Sequence, residues 1–449
     1  MSRLTRYRLV LVAAVALALG ALALVATLPA QAQPPVALRA STLGSFSVGM
    51  LSVRPGGPIG CGGNPGVAAT VSVSAANHVF VGGQRAGEGG GDGWLGPDQP
   101  GGAKADACGM RWTSQPIPPG PGSTPLHSAW APNKNPAGTY TLYVSGATAD
   151  VPVVAHSSDS GGTFVNSKLP GRVGAGGRPW IAAHGVATSM VSFGDQVSGT
   201  ITVLRSDDEG ATYAPVGPVL PVADRRTGNL RLGNLVIDHR DSPGAATGEF
   251  WAYQSFLATT NGRDRTINQP SLAASKDGGR KWSLHTIGCG NSKRSLASQT
   301  PSVSVAPDGS LWYAWSDGVS VYTALSRDHG ATWKCSGSLT PGLVAATDPS
   351  VVATSSGVDL SFYGAASRDE WSLYFAQNLT AKIGDWLGAE ELISVHHGTP
   401  DALVAPSLDV DQLGWLHMGY ALDGTDQDTA TLEVCYAVQT GGTQVGFPN

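Results

Sequence analysis

Several side chains that could do chemistry lie at the ends of short apolar segments. Asp195 and Asp317 each directly follow such a segment, and Tyr420 closes another. A carboxylic acid or a phenol in such a place could exchange a proton with a substrate. Arg178 opens a further apolar segment and Arg231 lies just before one, and a guanidinium group there could bind an anion. These residue types therefore suit anion binding and proton transfer.

Each of these residues also has a structural explanation. A single aspartate in a loop is usually a turn or cap residue, which applies to Asp195 and Asp317. Tyr420 could face either side of its strand. Arg178 opens an apolar segment, and a charged residue next to buried apolar groups must be solvated or paired. The sequence has no His/Cys spacing typical of zinc sites, so we expect neither a metal nor a cofactor.

One short pattern recurs four times and indicates how these residues are positioned. It reads Ser-x-Asp-x-Gly-x-Thr/Lys-aromatic and occupies 157–164, 206–213, 275–282 and 326–333. In a tight turn the aspartate can accept backbone N–H bonds, glycine can adopt a positive φ, and the aromatic residue restarts a buried strand. The aspartate and glycine positions that the four turns share are Asp159, Gly161, Asp208, Gly210, Asp277, Gly279, Asp328 and Gly330.

Apolar segments around the four turns also repeat, in seven units beginning near residues 64, 124, 178, 234, 300, 348 and 405. Each unit offers several short strands separated by turn residues. A unit of this size repeated this often predicts an all-β fold, a single β-propeller of seven four-stranded blades, with six blades as the alternative. The apolar stretch at 44–53 is expected to close the ring by pairing with the last blade.

The four turns resemble the Asp-box repeats of the sialidase (neuraminidase) superfamily, and the resemblance covers roughly residues 60–440. It implies a sialidase-like propeller whose boxes lie away from the active face, so that the four aspartates form turns. Sialidases hold the sugar carboxylate with three arginines and use a Tyr–Glu pair and an aspartic acid. The first of those arginines lies in an Arg-Ile-Pro motif, which this chain lacks; its nearest match is Arg178-Pro179-Trp180-Ile181.

Two functions follow from the resemblance. The first is an exo-sialidase or related glycoside hydrolase, with Asp195 and Asp317 as catalytic candidates and Arg178, Arg231 and Tyr420 as substrate-binding candidates. The second is a non-catalytic extracellular propeller that binds carbohydrate or protein. In either case we expect a glycan or glycoprotein ligand and a monomeric protein.

The N-terminus predicts export. Three arginines precede an apolar run at 9–28, and Ala30-Gln31-Ala32 offers a cleavage site, so residues 1–32 are interpreted as a signal peptide. An N-terminal membrane anchor is the alternative. Removal of 1–32 takes away three arginines and no acid, so the net charge of −5 falls to −8, which argues against nucleic acid as a partner. Residues 33–59 are expected to hold a lead and the ring-closing strand, and 60–449 the propeller.

Five cysteines in an exported chain favour disulfides. Cys61 and Cys108 flank the first unit, and Cys289 and Cys335 follow two neighbouring turns. We expect the pairs Cys61–Cys108 and Cys289–Cys335, with Cys435 free and buried in a strand.

Overall fold

A computed structural model of the chain describes residues 46–50, 69–84, 91–95, 113–117, 127–148, 151–170, 178–195, 200–219, 230–240, 249–259, 266–290, 292–398, 404–423, 432–439 and 445. The segment interpreted as a signal peptide lies outside these residues. In the described part of the chain, the helical structure is one 3₁₀ turn at Gly288–Gly290, and no helix could cross a membrane.

The described strands form seven antiparallel sheets of four strands each, which we call blades 1 to 7. Blade 1 contains β2 (Ala69–Val73), β3 (Val79–Gln84), β4 (Gly91–Leu95) and β5 (Thr113–Ile117). Blade 2 contains β6 (His127–Trp130), β7 (Leu142–Thr148), β8 (Val151–Ser157) and β9 (Val165–Asn166). Blade 3 contains β10 (Trp180–His184), β11 (Thr188–Asp195), β12 (Thr200–Ser206) and β13 (Ala214–Pro218).

The other four blades follow the same order. Blade 4 contains β14 (Arg231–Ile237), β15 (Ala252–Thr259), β16 (Ile267–Ser275) and β17 (Ser283–Thr286). Blade 5 contains β18 (Ser302–Val305), β19 (Leu311–Ser316), β20 (Val321–Ser326) and β21 (Lys334–Cys335). Blade 6 contains β22 (Ala345–Ala353), β23 (Val358–Ser367), β24 (Glu370–Asn378) and β25 (Glu390–His397). Blade 7 contains β26 (Ser407–Val410), β27 (Leu416–Asp423), β28 (Leu432–Gln439) and the N-terminal β1 (Phe46–Met50).

The blades close into a ring. The first strand of each blade contacts the first strands of both neighbours, all the way round. The all-β propeller predicted from the sequence is therefore confirmed, with seven blades in the described part of the chain. Strand β1 supplies the outermost strand of blade 7, where Phe46 pairs with Gln439 and Met50 with Cys435. This is the place expected for a ring-closing strand.

The hydrophobic core consists of layers between adjacent blades. The layer between blades 5 and 6, for example, contains the fully buried Trp312, Phe362 and Trp386. A central strand is covered on both faces, as in β15, where all eight residues are buried. Such strands do not alternate between apolar and polar residues, because neither face meets water, and the polar residues that β15 contains are buried as well.

The four repeated turns share one set of hydrogen bonds. In the turn of blade 3, Ser206 Oγ donates to Asp208 Oδ1 over 2.7 Å and accepts the Gly210 amide over 2.9 Å. Asp208 also accepts the backbone amide of Thr212 over 2.9 Å. The corresponding bonds recur in the other three turns. These aspartates form turns, as expected.

Two consecutive residues of each turn have positive φ, which is typical of mirror-image hairpin turns. In blade 3 these are Glu209 at 58° and Gly210 at 86°. The sequence predicts a positive φ at the glycine only. The residue before it also adopts one, including Ser160 at 59° and His329 at 57°.

The glycine of each turn also packs against the preceding blade. A Cβ atom on Gly210 would lie 2.8 Å from the ring of Tyr143 in blade 2. The equivalent neighbours are Leu95 for Gly161, Met190 for Gly279 and Leu272 for Gly330. Glycine is therefore required twice, for its φ and for the close approach of two blades.

Side chains on the first strands also join neighbouring blades, because the hydrogen bonds within a blade stop at its edge. Asn234 Oδ1 accepts the Val303 amide over 2.7 Å, which joins blade 4 to blade 5. Asp409 Oδ2 accepts the Val73 amide over 2.7 Å and joins blade 7 to blade 1, where the ring closes. Similar bonds join Thr70 to Ser128, His127 to Ile181, Ser302 to Val351, Ser304 to Ala353 and Ser407 to Val71.

The disulfides agree with the sequence in part. Cys289 and Cys335 are bonded to each other and join the connection after blade 4 to the last strand of blade 5. Cys435 is buried in β28 as expected, but it is disulfide-bonded, so the expectation of a free thiol is wrong. Cys61 and Cys108 lie outside the described residues.

Substitution of Gly210 by alanine tests the contact between blades. We expect Gly210→Ala to lower the free energy of unfolding by about 2–4 kcal/mol, from an unfavourable φ and a steric clash with Tyr143. Gly185→Ala is the control, since Gly185 also has a positive φ, 60°, but a Cβ atom at this position would have no neighbour within 4 Å. It should cost about 1 kcal/mol. Equal losses in urea unfolding would contradict the packing argument.

The pH dependence of stability tests the bond that closes the ring. Burial raises the pKa of Asp409 to about 6, although bonds from the amides of Val73 and Val410 lower it. Between about pH 4 and 6 the folded protein thus holds a proton that the unfolded chain has lost, so the net contribution of Asp409 to stability falls as pH rises, because its charged form is buried. The stability of Asp409→Asn relative to wild type should therefore rise by about 1–3 kcal/mol from pH 4 to 7.

Urea unfolding at pH 4, 5.5 and 7 measures this difference. Asn234→Ala is the control, because it removes an equivalent bond that does not titrate and should cost the same at each pH. If the difference in free energy of unfolding between Asp409→Asn and wild type stays constant with pH, the carboxyl group of Asp409 does not titrate with a raised pKa.

Candidate functional site

The two ends of the central channel differ. First strands begin and second strands end at one end, which we call the mouth. The repeated turns lie at the other end, as the bond from the Ser160 amide to the Tyr140 carbonyl next to the start of β7 shows. A cavity of about 270 Å³ is lined by the first strands of all seven blades and by residues that follow several of them.

Arg178 is the first functional candidate at the mouth. It lies two residues before β10, is partly buried, and its guanidinium carbon is 4.2 Å from the ring centroid of Trp180. The next residue, Pro179, is held by its carbonyl, which accepts a bond from Ser145 of blade 2 over 3.1 Å. Burial lowers the pKa of Arg178 to about 10, while Asp348 and Tyr363 oppose this shift, so the group is cationic at neutral pH.

His127 supports the same corner of the mouth from blade 2. Its ring centroid lies 4.7 Å from that of Trp180, and its Nδ1 accepts the Ile181 amide over 3.3 Å. Burial, and next the charge of Arg178, lower its pKa to about 3. The ring is therefore neutral, and it forms part of the channel wall just below Arg178.

Asp348 is a buried carboxylate within electrostatic range of Arg178. It lies at a bulge in β22 and has a φ of 48°, a region that aspartate tolerates better than most residues. Its Oδ1 accepts the Thr300 amide over 2.8 Å, and its Oδ2 the Thr347 hydroxyl over 3.0 Å. Burial raises its pKa, and bonds from both threonines and the charge of Arg231 oppose that shift.

Two tyrosines and a second arginine complete the group. Arg231 begins β14 and is exposed, close enough to Asp348 to influence its pKa. The Tyr363 hydroxyl is buried and accepts the Ala421 amide over 3.1 Å. Tyr420 is also buried, and its hydroxyl has no hydrogen-bond partner in the described part of the chain. Burial raises the pKa of both tyrosines.

We call this group the mouth cluster: Arg178, Arg231, Asp348, Tyr363 and Tyr420. Its members come from blades 3, 4, 6 and 7, and electrostatic interactions link Asp348 to both arginines and to Tyr363. The three binding residues predicted from the sequence are all in it, although Tyr420 is too buried to be a surface contact. Two arginines thus lie within electrostatic range of the Asp348 carboxylate.

The predicted catalytic aspartates are not placed in the cluster. Asp317 Oδ1 accepts the amides of Val319 and Ser320 over 3.0 and 2.8 Å, and its Oδ2 accepts the Tyr322 hydroxyl over 3.3 Å. These bonds make Asp317 a turn residue. Asp195 is the last residue of β11, and its side chain lies outside the described residues.

Sequence reasoning missed Asp348 and Tyr363. A signal for the first was present: Asp348 precedes Pro349, just as Arg178 precedes Pro179 and Thr300 precedes Pro301. The residue before a proline thus lies at the mouth just before the first strands of blades 3 and 5, and within the longer first strand of blade 6. Tyr363 had no such signal, since it lies inside a continuous apolar run.

The turn aspartates differ electrostatically from Asp348. Burial raises their pKa values, but hydrogen bonds within the turns outweigh it, so Asp159, Asp208, Asp277 and Asp328 all titrate below the ordinary range. These carboxylates remain ionised at neutral pH and accept the hydrogen bonds of their own turns. In the described part of the chain, no group of three or more His, Cys, Asp or Glu side chains could hold a metal ion.

Comparisons with known proteins extend the description of the fold only. No protein-family model and no curated protein matches the chain. Among solved structures it is similar to the α-L-arabinofuranosidase Arb93A from Fusarium graminearum, with 17% identity over 70% of this chain and 92% of that one, at a TM-score of 0.42. The lectin of Aleuria aurantia is also similar, with 15% identity over 75% of this chain and 99% of that one, at a TM-score of 0.46.

The NanB sialidase from Streptococcus pneumoniae is also similar, with 10% identity over 87% of this chain and 70% of that one, at a TM-score of 0.40. These identities and scores are too low to relate individual residues, and no functional residue is transferred from these proteins.

Two substitutions of Asp348 test its role in the cluster. Asp348→Ala should lower the free energy of unfolding by about 2–4 kcal/mol, because the partly buried Thr300 amide loses its acceptor and the buried Arg178 loses a nearby negative charge. Asp348→Asn keeps an acceptor and tolerates the positive φ, so it should cost about 1 kcal/mol. Urea unfolding measures both. Equal losses would mean that Asp348 is not the acceptor that holds this corner.

Proposed function

We propose that this chain is an exported Asp-box propeller that acts on glycans and holds an acidic sugar at the mouth cluster. The observation that carries the proposal is that Arg178 and Arg231, from two different blades, both lie at the mouth within electrostatic range of the buried Asp348. The resemblance of the four turns to Asp-boxes, and the signal-like segment 1–32, support the class and the export.

The charge balance of the cluster favours an anionic ligand. Asp348 accepts bonds from the Thr300 amide and the Thr347 hydroxyl. The exposed Arg231 can present its planar fork to a carboxylate from outside. A sugar that carries a carboxylate fits this exposed guanidinium group better than a neutral sugar.

Calorimetry with N-acetylneuraminic acid and its methyl ester tests the proposal. The acid should bind, and the ester, which lacks the charge, should bind at least about 10-fold more weakly. Arg178→Gln and Arg231→Gln should each weaken binding of the acid by about 10–100-fold.

Arg327→Gln is the matched control, since Arg327 is an exposed arginine paired with Asp308 far from the mouth. It should leave binding unchanged. If wild-type protein binds acid and ester alike, or if the control weakens binding as much as the mouth variants, the proposal fails.

Hydrolysis of the bound glycan is the second candidate, favoured by the raised pKa of Asp348 at the mouth. Sialidases, which the turns resemble, use a Tyr–Glu pair as nucleophile and an aspartic acid as acid/base. Here Asp348 is the group that could carry a proton to the leaving oxygen.

Release of a fluorophore from a synthetic α-sialoside by the mature protein distinguishes the two candidates. If the chain is a hydrolase, Asp348→Asn should lower kcat by about 100-fold or more, while binding of N-acetylneuraminic acid persists. Binding without release in wild type would establish a non-catalytic glycan receptor.

A further inference from the structure

Blade 6 is built differently from the other blades at the mouth. Its first strand, β22, has nine residues and its second, β23, has ten, whereas the other first strands have four to seven. The Val351 amide donates to the hydroxyl of Ser302, the first residue of β18. Val351 is therefore level with the start of β18, and β22 begins six residues earlier, at Ala345. At about 3.3 Å per residue, this extension is roughly 15–20 Å long.

The extended part of blade 6 is exposed yet held in place. Residues 366–370 are all exposed and form the tip of the β23–β24 hairpin. Ser367 Oγ lies 3.0 Å from Glu370 Oε2, and the Asp369 carbonyl accepts the Gly398 amide over 2.9 Å. Val344, 49% exposed, is tied to this hairpin because its amide donates to the Ala365 carbonyl over 2.9 Å. We call Val344 and residues 366–370 the blade 6 wall.

The wall continues the strands that carry the mouth cluster. Val344 lies four residues before Asp348, and Ser367 lies four residues after Tyr363. The wall therefore begins roughly 10–15 Å beyond the cluster, on the solvent side. A ligand seated on the cluster and longer than one sugar would extend alongside the wall.

From this placement we propose that the blade 6 wall binds the sugar units that follow the acidic sugar, so that the site takes an acidic oligosaccharide and not a free monosaccharide. The inference rests on the proposed function of the mouth cluster. The wall combines an exposed apolar side chain, which suits the C–H face of a sugar ring, with Arg368, Asp369 and Glu370, which can bond hydroxyl groups.

A protein partner fits this surface less well. Val344 is the large exposed apolar residue of the wall, and the other two in the described part of the chain, Val151 and Val165, belong to blade 2. Specific protein interfaces need about 800 Å² per partner with an apolar centre. A narrow, charged hairpin tip with one valine at its base suits a slender, polar chain.

The experiment compares the affinity of the protein for N-acetylneuraminic acid with that for a trisaccharide ending in the same sugar. Wild type should bind the trisaccharide at least about 5-fold more tightly, a gain of about 1 kcal/mol. Val344→Ser and Arg368→Ala should each reduce this gain to 2-fold or less while the affinity for the monosaccharide stays unchanged. Val165→Ser, which alters an equally exposed valine away from the mouth, should keep the full gain.

The outcomes separate the two proposals. If wild type binds the monosaccharide but gains nothing from the longer chain, or if the wall variants keep the gain, the wall inference is overturned and the mouth cluster stands. If wild type binds neither ligand, the proposed function fails, and with it the inference. Circular dichroism of each variant establishes that the fold is intact, and the unchanged monosaccharide affinity is the second check.

Discussion

The backbone hydrogen bonds of this protein stop at the edge of each blade, and the rest of the structure depends on how that gap is bridged. A buried amide without an acceptor is costly, so first-strand amides at the channel must find partners on a different sheet. Small polar side chains such as Asn234, Ser304 and Ser407 supply them. The repeated turns bridge the opposite end through glycines that press against the preceding blade.

This construction leaves the mouth as the place where polar groups accumulate. At the end of the channel that carries the turns, the polar side chains form the hydrogen bonds of the turns themselves. At the mouth, by contrast, the first strands begin at different levels, and charged residues lie just before prolines. Arg178 and Asp348 occupy two such positions, 170 residues apart in the chain, and the ring brings them within electrostatic reach.

Much of the fold could be predicted from the sequence, because the turn pattern and the apolar runs are local signals. The candidate site was predicted less completely. Arg178 and Arg231 were found because they flank apolar segments. Asp348 was missed because its position depends on a bulge and a left-handed conformation, which arise from tertiary contacts. Tyr363 was missed because only the tertiary structure decides which residues of an apolar run lie at the mouth.

The N-terminal strand has a consequence for how the molecule assembles. β1 forms the outer edge of the sheet that contains the last three strands, so residues about 390 positions apart must meet. Contacts of such sequence separation form slowly and late. The ring therefore cannot close until β28 is available to pair with β1.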